Sequence, residues 1–153
     1  MFTVSIYLET SIKGPSVKDG WYAAVIEYVN KNRKAEIRED YVLEKVTTYH
    51  KSILCALIKA LKRLNASCEL KIYTDSIFLK RNVENNIEMW KKNGFLNAKG
   101  EPIKNKDEWK EVAKLLAGHK VEFRITNRHL YSMRMIEEAK RRTENTRDSV
   151  NTE

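Results

Sequence analysis

The strongest constraint in this chain is the order of its hydrophobic periods. Three runs with a period of two come first, and a sustained period near 3.6 starts only after them. Phe2, Val4, Ile6 and Leu8 alternate with Thr3, Ser5 and Tyr7, which predicts a strand over 2–8. Gly14-Pro15 and Asp19-Gly20 mark a loop. Trp21 to Tyr28 is rich in β-branched and aromatic residues and predicts a second strand. Asn30-Lys31-Asn32 is a turn, and Ala35 to Val42 predicts a third strand whose alternating charges suit a sheet edge. Strands two and three therefore read as a hairpin.

The helical period begins at Tyr49. Tyr49, Ile53, Ala56, Leu57, Ala60, Leu61 and Leu64 share one face, with Thr47 or Thr48 as the N-cap. Leu70–Tyr73 is a short apolar strand running into Thr74-Asp75-Ser76. Ser76–Trp90 is helical with a break near Asn82, Gly94–Asn105 is a loop, and Asp107–Ala117 is a helix. Val121–Ile125 predicts a fifth strand and Tyr131–Arg142 a last helix. An initial hairpin followed by βαβ crossovers gives an α/β fold: a five-stranded mixed sheet flanked by helices. The 153 residues suit one domain, expected over 1–142, and the polar run 143–153 is expected to be a disordered tail.

The net charge of +8 favours a polyanionic partner, nucleic acid first. The two cysteines, Cys55 and Cys68, have no zinc-type spacing and are expected as free thiols in a reducing compartment. No leader or membrane span is legible, so the expectation is a cytoplasmic protein with no membrane partner.

Specific motifs sharpen this. Tyr73-Thr74-Asp75-Ser76, the pair Trp90-Lys91-Lys92-Asn93-Gly94-Phe95 and Lys104-Asn105-Lys106-Asp107-Glu108-Trp109, the Val121-Glu122-Phe123 strand, and Thr47-Thr48 before an apolar helix together resemble type 1 ribonuclease H. The resemblance runs from the first strand to the last helix and implies a ribonuclease H-like fold. It also implies a basic handle that binds RNA/DNA hybrid or another duplex, formed by Lys91, Lys92, Lys104, Asn105 and Lys106 with Trp90 and Trp109. Between Trp90 and Lys114 seven lysines face four carboxylates, a net of +3. Trp90, at helical spacing from Asn86 and Ile87, reads more as packing than as base stacking, and Trp109 as a brace of the handle.

The family cleaves the RNA strand of a hybrid with two divalent ions held by four carboxylates, from the first strand, first helix, fourth strand and last helix. Asp75 corresponds to the fourth-strand ligand, and Glu9 stands where the family has aspartate. At the first-helix position stands Ile53, and at the last-helix position Ile136. Glu137, one step on, is turned about 100° and reaches the site only with a register change. His129 corresponds to the family's mobile loop histidine.

The implied centre is degenerate: Glu9 and Asp75 remain as catalytic and metal-binding remnants, with no metal or a weakly bound magnesium or manganese ion. The isoleucines are expected to fill the cleft with apolar bulk. The chain is then expected to bind duplex with impaired or absent catalysis. An active endoribonuclease with divergent ligands is one alternative. A module that docks a protein partner on the cleft, apolar with Ile53 and Ile136, is the other.

Overall fold

The computed structural model describes residues 1–151, with side chains to 146. The strands are β1 (Phe2–Thr10), β2 (Lys18–Val29), β3 (Ala35–Thr47), β4 (Cys68–Thr74) and β5 (Lys120–Ile125). The helices are α1 (Tyr49–Leu61), α2 (Ile77–Asn85), α3 (Ile87–Asn93), α4 (Lys106–Leu116) and α5 (Ser132–Asn151). The strands form one sheet in the order β3-β2-β1-β4-β5. β2 is antiparallel to both β1 and β3, whereas β4 is parallel to β1 and to β5. The sheet is therefore mixed, and the charged β3 lies at its edge as expected.

Period-two alternation sorts β1 between two cores. Val4, Ile6 and Leu8 join the larger core under α1, with Ile53, Leu54, Leu57 and Leu61. Tyr7 faces the other way and packs with Ala23, Val25 and Met135 beneath α5. α1 starts where the threonines predict, because the Thr48 hydroxyl accepts the Lys51 N–H. α4 lies against α1 and buries Trp109, which is 1% exposed.

Several boundaries differ from the sequence reading. β3 continues to Thr47 because β2 extends its partner row as far as Lys18. The helical break falls at Asn86 rather than Asn82; the Asn82 amide oxygen instead accepts from the Asn86 side chain. The expected tail from Thr143 is corrected as far as Asn151, because α5 runs through it. The Thr143 and Thr146 hydroxyls donate to the carbonyls of Ala139 and Arg142, which satisfies them within the helix. The expectation for residues 152–153 lies outside the described residues. No described helix is long and apolar enough to cross a membrane.

Trp109 joins the handle to the core, with its ring 5.3 Å from Trp90 and 5.7 Å from Phe78. Trp109→Ala should cost about 3–5 kcal/mol of folding stability, because it empties a filled site. Denaturant unfolding checks this; a destabilisation under about 1 kcal/mol would show that the handle does not rest on the core through this ring.

Candidate active site and nucleic-acid interface

β1 and β4 run parallel with Tyr7 opposite Tyr73, and the two rings stack at 4.6 Å. Two residues further along each chain come Glu9 and Asp75. Parallel pairing thus delivers both carboxylates to the carboxyl edge of the sheet, where open α/β sheets place their ligands. Glu9 is 6% exposed, and the Asp75 side chain is 22% exposed.

Protein donors meet both groups. The Lys13 ammonium lies 3.3 Å from Glu9 Oε2 and 2.9 Å from Asp75 Oδ2. The Ser132 hydroxyl, at the start of α5, donates to Glu9 Oε1 at 2.7 Å. The Tyr49 hydroxyl, at the start of α1, donates to Asp75 Oδ1. Burial, and then this carboxylate, push the Tyr49 pKa well above the ordinary phenol value. The phenol is therefore a persistent donor at neutral pH.

His129 sits beside Glu9, with its side chain 2% exposed and its ring 5.0 Å from that of Tyr7. Its Nδ1 accepts the Tyr131 N–H at 3.2 Å. Nε2 then carries the proton and donates to the Leu8 carbonyl at 3.1 Å, while lying 3.4 Å from Glu9 Oε1. Burial holds the imidazole below its usual pKa, outweighing the raising effect of the Leu8 carbonyl and of Glu9. This imidazole is a neutral bracing group held on both nitrogens.

The other expected ligand positions diverge. Ile53 is fully buried in the core under α1 and does not face the cleft. The expectation that both isoleucines fill the cleft is corrected: only Ile136 lines it. That cleft, of about 330 Å³, is bounded by Glu9, Thr10, Lys13, Trp21, Ile136 and Lys140 among others. Glu137 is exposed and lines a different groove with Glu39, Arg134 and Arg141. It does not reach Glu9, so its doubtful role as a rescuing ligand is also corrected. Among the described residues no group of three or more His, Cys, Asp or Glu side chains could hold a metal ion.

A magnesium ion needs near-octahedral oxygen ligation, and a two-ion centre needs more carboxylates than two. The donor set here is two carboxylates with an ammonium between them, a buried isoleucine and a half-exposed isoleucine. These residues do not fit a two-metal centre. The sequence reading missed Lys13, Tyr49 as a polar group, and Ser132. Nothing marks Lys13 among 29 Lys and Arg residues, and Tyr49 is legible only as a member of the apolar face of α1.

The handle is a separate structure. α3 ends at Gly94, whose φ of 79° is the left-handed conformation glycine adopts freely. Phe95 then turns into the core, and the Asn97 carboxamide closes the loop by accepting from the Lys99 and Glu101 N–H groups. Asn105, at φ 57°, redirects the chain into α4. Lys91, Lys92 and Lys104 are exposed, whereas Asn105 and Lys106 are half-buried. Lys91 pairs with Glu88 at 3.2 Å, a contact on the open surface. Trp90 is partly buried against the core. Trp109 is buried, which corrects its place among the nucleic-acid contacts: it supports the handle from behind.

Comparison with known proteins agrees with this architecture. The RNase H family model matches residues 3–146. Ribonuclease H of Nitrosospira multiformis is 35% identical over 120 residues, covering 78% of this chain and 74% of that protein. Ribonuclease HI of Neisseria meningitidis serogroup B is 34% identical over 127 residues, covering 83% of each. Among solved structures, LC9-RNase H1, described as a type 1 RNase H with the type 2 active-site motif, superposes with a TM-score of 0.71 at 22% identity. It covers 92% of this chain and 69% of that one. The foamy viral protease-reverse transcriptase in complex with RNA/DNA hybrid gives 0.68 at 21% identity, covering 88% of this chain and 18% of that one. On the extent of the family match and the identity to these relatives, the chain belongs to the ribonuclease H family.

Proposed function

We propose that this ribonuclease H family member binds RNA/DNA hybrid, or a duplex of similar shape, through its basic handle and cleaves it with little or no metal-dependent turnover. The observation that carries the reading is the state of the sheet edge. Glu9 and Asp75 each accept from protein donors and share one lysine ammonium, and the two further ligand positions hold isoleucine. The handle supports the binding half. It presents Lys91, Lys92 and Lys104 to solvent from a segment of net charge +3, with Lys106 half-buried behind them. Lysines on phosphates release counterions, and RNA-containing duplexes are read by shape and 2′-hydroxyls.

A second reading is an active hybrid endoribonuclease with Mg²⁺ or Mn²⁺ as its cofactor. It is favoured by the relatives, which carry the name ribonuclease H at 30–35% identity. Docking of a protein partner on the cleft has less support, since Ile53 is not available at the surface.

A hybrid-cleavage assay separates the first two. With a 5′-labelled RNA strand annealed to DNA, the expected result in millimolar Mg²⁺ or Mn²⁺ is intact RNA bound to protein. Multiple turnover that chelator abolishes would make the chain an ordinary nuclease. Replacing Lys91, Lys92, Lys104 and Lys106 together by Gln should leave the unfolding midpoint in place. It should also reduce the dependence of log K on log salt by about 0.7–0.9 for each phosphate no longer neutralised. An unchanged salt slope would move the binding surface elsewhere.

Ile53→Glu returns a carboxylate to the family's first-helix position, but at a fully buried point. It should destabilise the fold by roughly 3–5 kcal/mol at neutral pH without creating nuclease activity. Burial raises the folded pKa of such a group above its unfolded value. The variant's relative stability should therefore be greatest below the unfolded pKa and fall as pH rises through the folded one. Unfolding curves at acid and neutral pH check the sign, and gain of hybrid cleavage would overturn the assignment of Ile53 to the core.

A further inference from the structure

Two carboxylates held at adjacent strand ends repel one another unless a cation lies between them. Here the cation is part of the chain. Lys13 follows Ile12, which is fully buried and whose N–H donates to Thr10 Oγ1 at 3.2 Å. Ser11 is fixed to Trp21 in both directions: its N–H donates to the Trp21 carbonyl at 2.9 Å, and its hydroxyl accepts the Trp21 N–H at 2.8 Å. Gly20 makes room for this packing, since a Cβ there would stand 2.7 Å from Ile12 Cγ1 and Ser11 Oγ. The loop that carries Lys13 is thus anchored on both sides, and its ammonium arrives between Glu9 and Asp75 from a fixed base. Because one ammonium touches both groups, their facing oxygens lie within two hydrogen-bond lengths of each other.

We propose that Lys13 is a tethered cation standing between Glu9 and Asp75 in place of a divalent ion, and that neutralising it turns the pair into a single-ion site for a hard divalent cation. The proposal rests on the reading that this sheet edge is no two-metal centre, and it adds what balances the charge there. The remaining surroundings suit one weakly held ion. Glu9 and Asp75 supply oxygens on either side of Lys13, and Glu9 lines an open cleft with Lys13. Lys140 lines the cleft too, and its charge keeps any such affinity low.

Lys13→Met tests this, because it keeps most of the aliphatic stem and removes the charge. The double variant K13M/D75N removes the repulsion as well. Thermal unfolding is followed in chelator and in millimolar MnCl₂, with Mn²⁺ binding measured directly by titration calorimetry. The wild-type midpoint should be the same in both conditions. The midpoint of K13M in chelator should fall by about 2–4 °C, recover part of that drop in MnCl₂, and be accompanied by binding of one ion per chain. K13M/D75N should recover stability without metal and show no response to it. The proposal is overturned if K13M matches wild type in chelator and binds no Mn²⁺, if wild type is itself stabilised by Mn²⁺, or if the double variant responds like K13M. No nucleic acid enters the measurement. Failure here leaves hybrid binding standing, and failure to bind hybrid leaves the role of Lys13 standing.

Discussion

The parallel pairing of β1 with β4 is the constraint from which the rest of this molecule follows. It sets Tyr7 beside Tyr73, and two residues later it sets one carboxylate beside another at the edge of the sheet. Nothing about the packing below needs acids there. The arrangement is a liability in charge, and three polar groups at the edge meet it. Lys13 comes from the first loop, Tyr49 from the start of α1 and Ser132 from the start of α5. Three elements distant in sequence therefore converge on two oxygen pairs. The same convergence serves the fold, because Thr10 and Ser52 share a buried hydroxyl contact of 2.8 Å between β1 and α1 just beneath. Polar groups in a low-dielectric edge strengthen one another when all are paired, and they cost most when one is left over.

The isoleucines at 53 and 136 belong to this balance, though in different ways. A carboxylate at 53 would be buried under α1, where a charge is costly without a strong partner. At 136 the side chain lies on the cleft wall, 37% exposed, and contributes a hydrocarbon face next to Trp21. With both positions apolar, the negative charge at the edge is limited to Glu9 and Asp75. One lysine offsets half of the charge of such a pair and lies between its members, whereas four carboxylates would leave most of their charge unmet. The two isoleucines and the lysine form one consistent electrostatic arrangement.

Much of the fold was legible because hydrophobic period is a direct image of burial. The alternation of Val4, Ile6 and Leu8 reports the face of β1 under α1, and the 3.6 period from Tyr49 reports the face of α1 on the sheet. The element order, the hairpin and the charged edge strand followed from that alone. Boundaries shifted where hydrogen bonding rather than burial decides. β3 reaches Thr47 through ladder pairing, and α5 passes Arg142 because its threonines are satisfied within the helix. The site was legible only in part. Asp75 is legible from the Tyr73-Thr74-Asp75-Ser76 motif, and Glu9 from its place at the end of the first strand. Lys13 was not found, because a loop has no period and one lysine in a strongly basic chain carries no distinguishing signal. Trp109 reads both as a handle contact and as the handle's brace, because a helical aromatic beside lysines has the same spacing whether it faces solvent or the core, and its burial supports the brace.

The handle and the sheet edge are built from different residues, so on the proposed reading duplex binding and cleavage rest on separate parts of the fold. The handle rests on Trp109, Trp90 and Phe95 and turns on Gly94 and Asn105, none of which touches Glu9 or Asp75. Its lysines act through charge at close range, and at physiological ionic strength such fields fade within about 8 Å. Positioning a backbone is a matter of shape and counterions, whereas hydrolysis requires hard oxygen ligands at fixed angles. The first tolerates substitution one lysine at a time, and the second fails as soon as the ligand set is incomplete. Where two carboxylates stand at adjacent strand ends, a cation between them offsets their repulsion. In this protein the group placed to do so is the ammonium of Lys13.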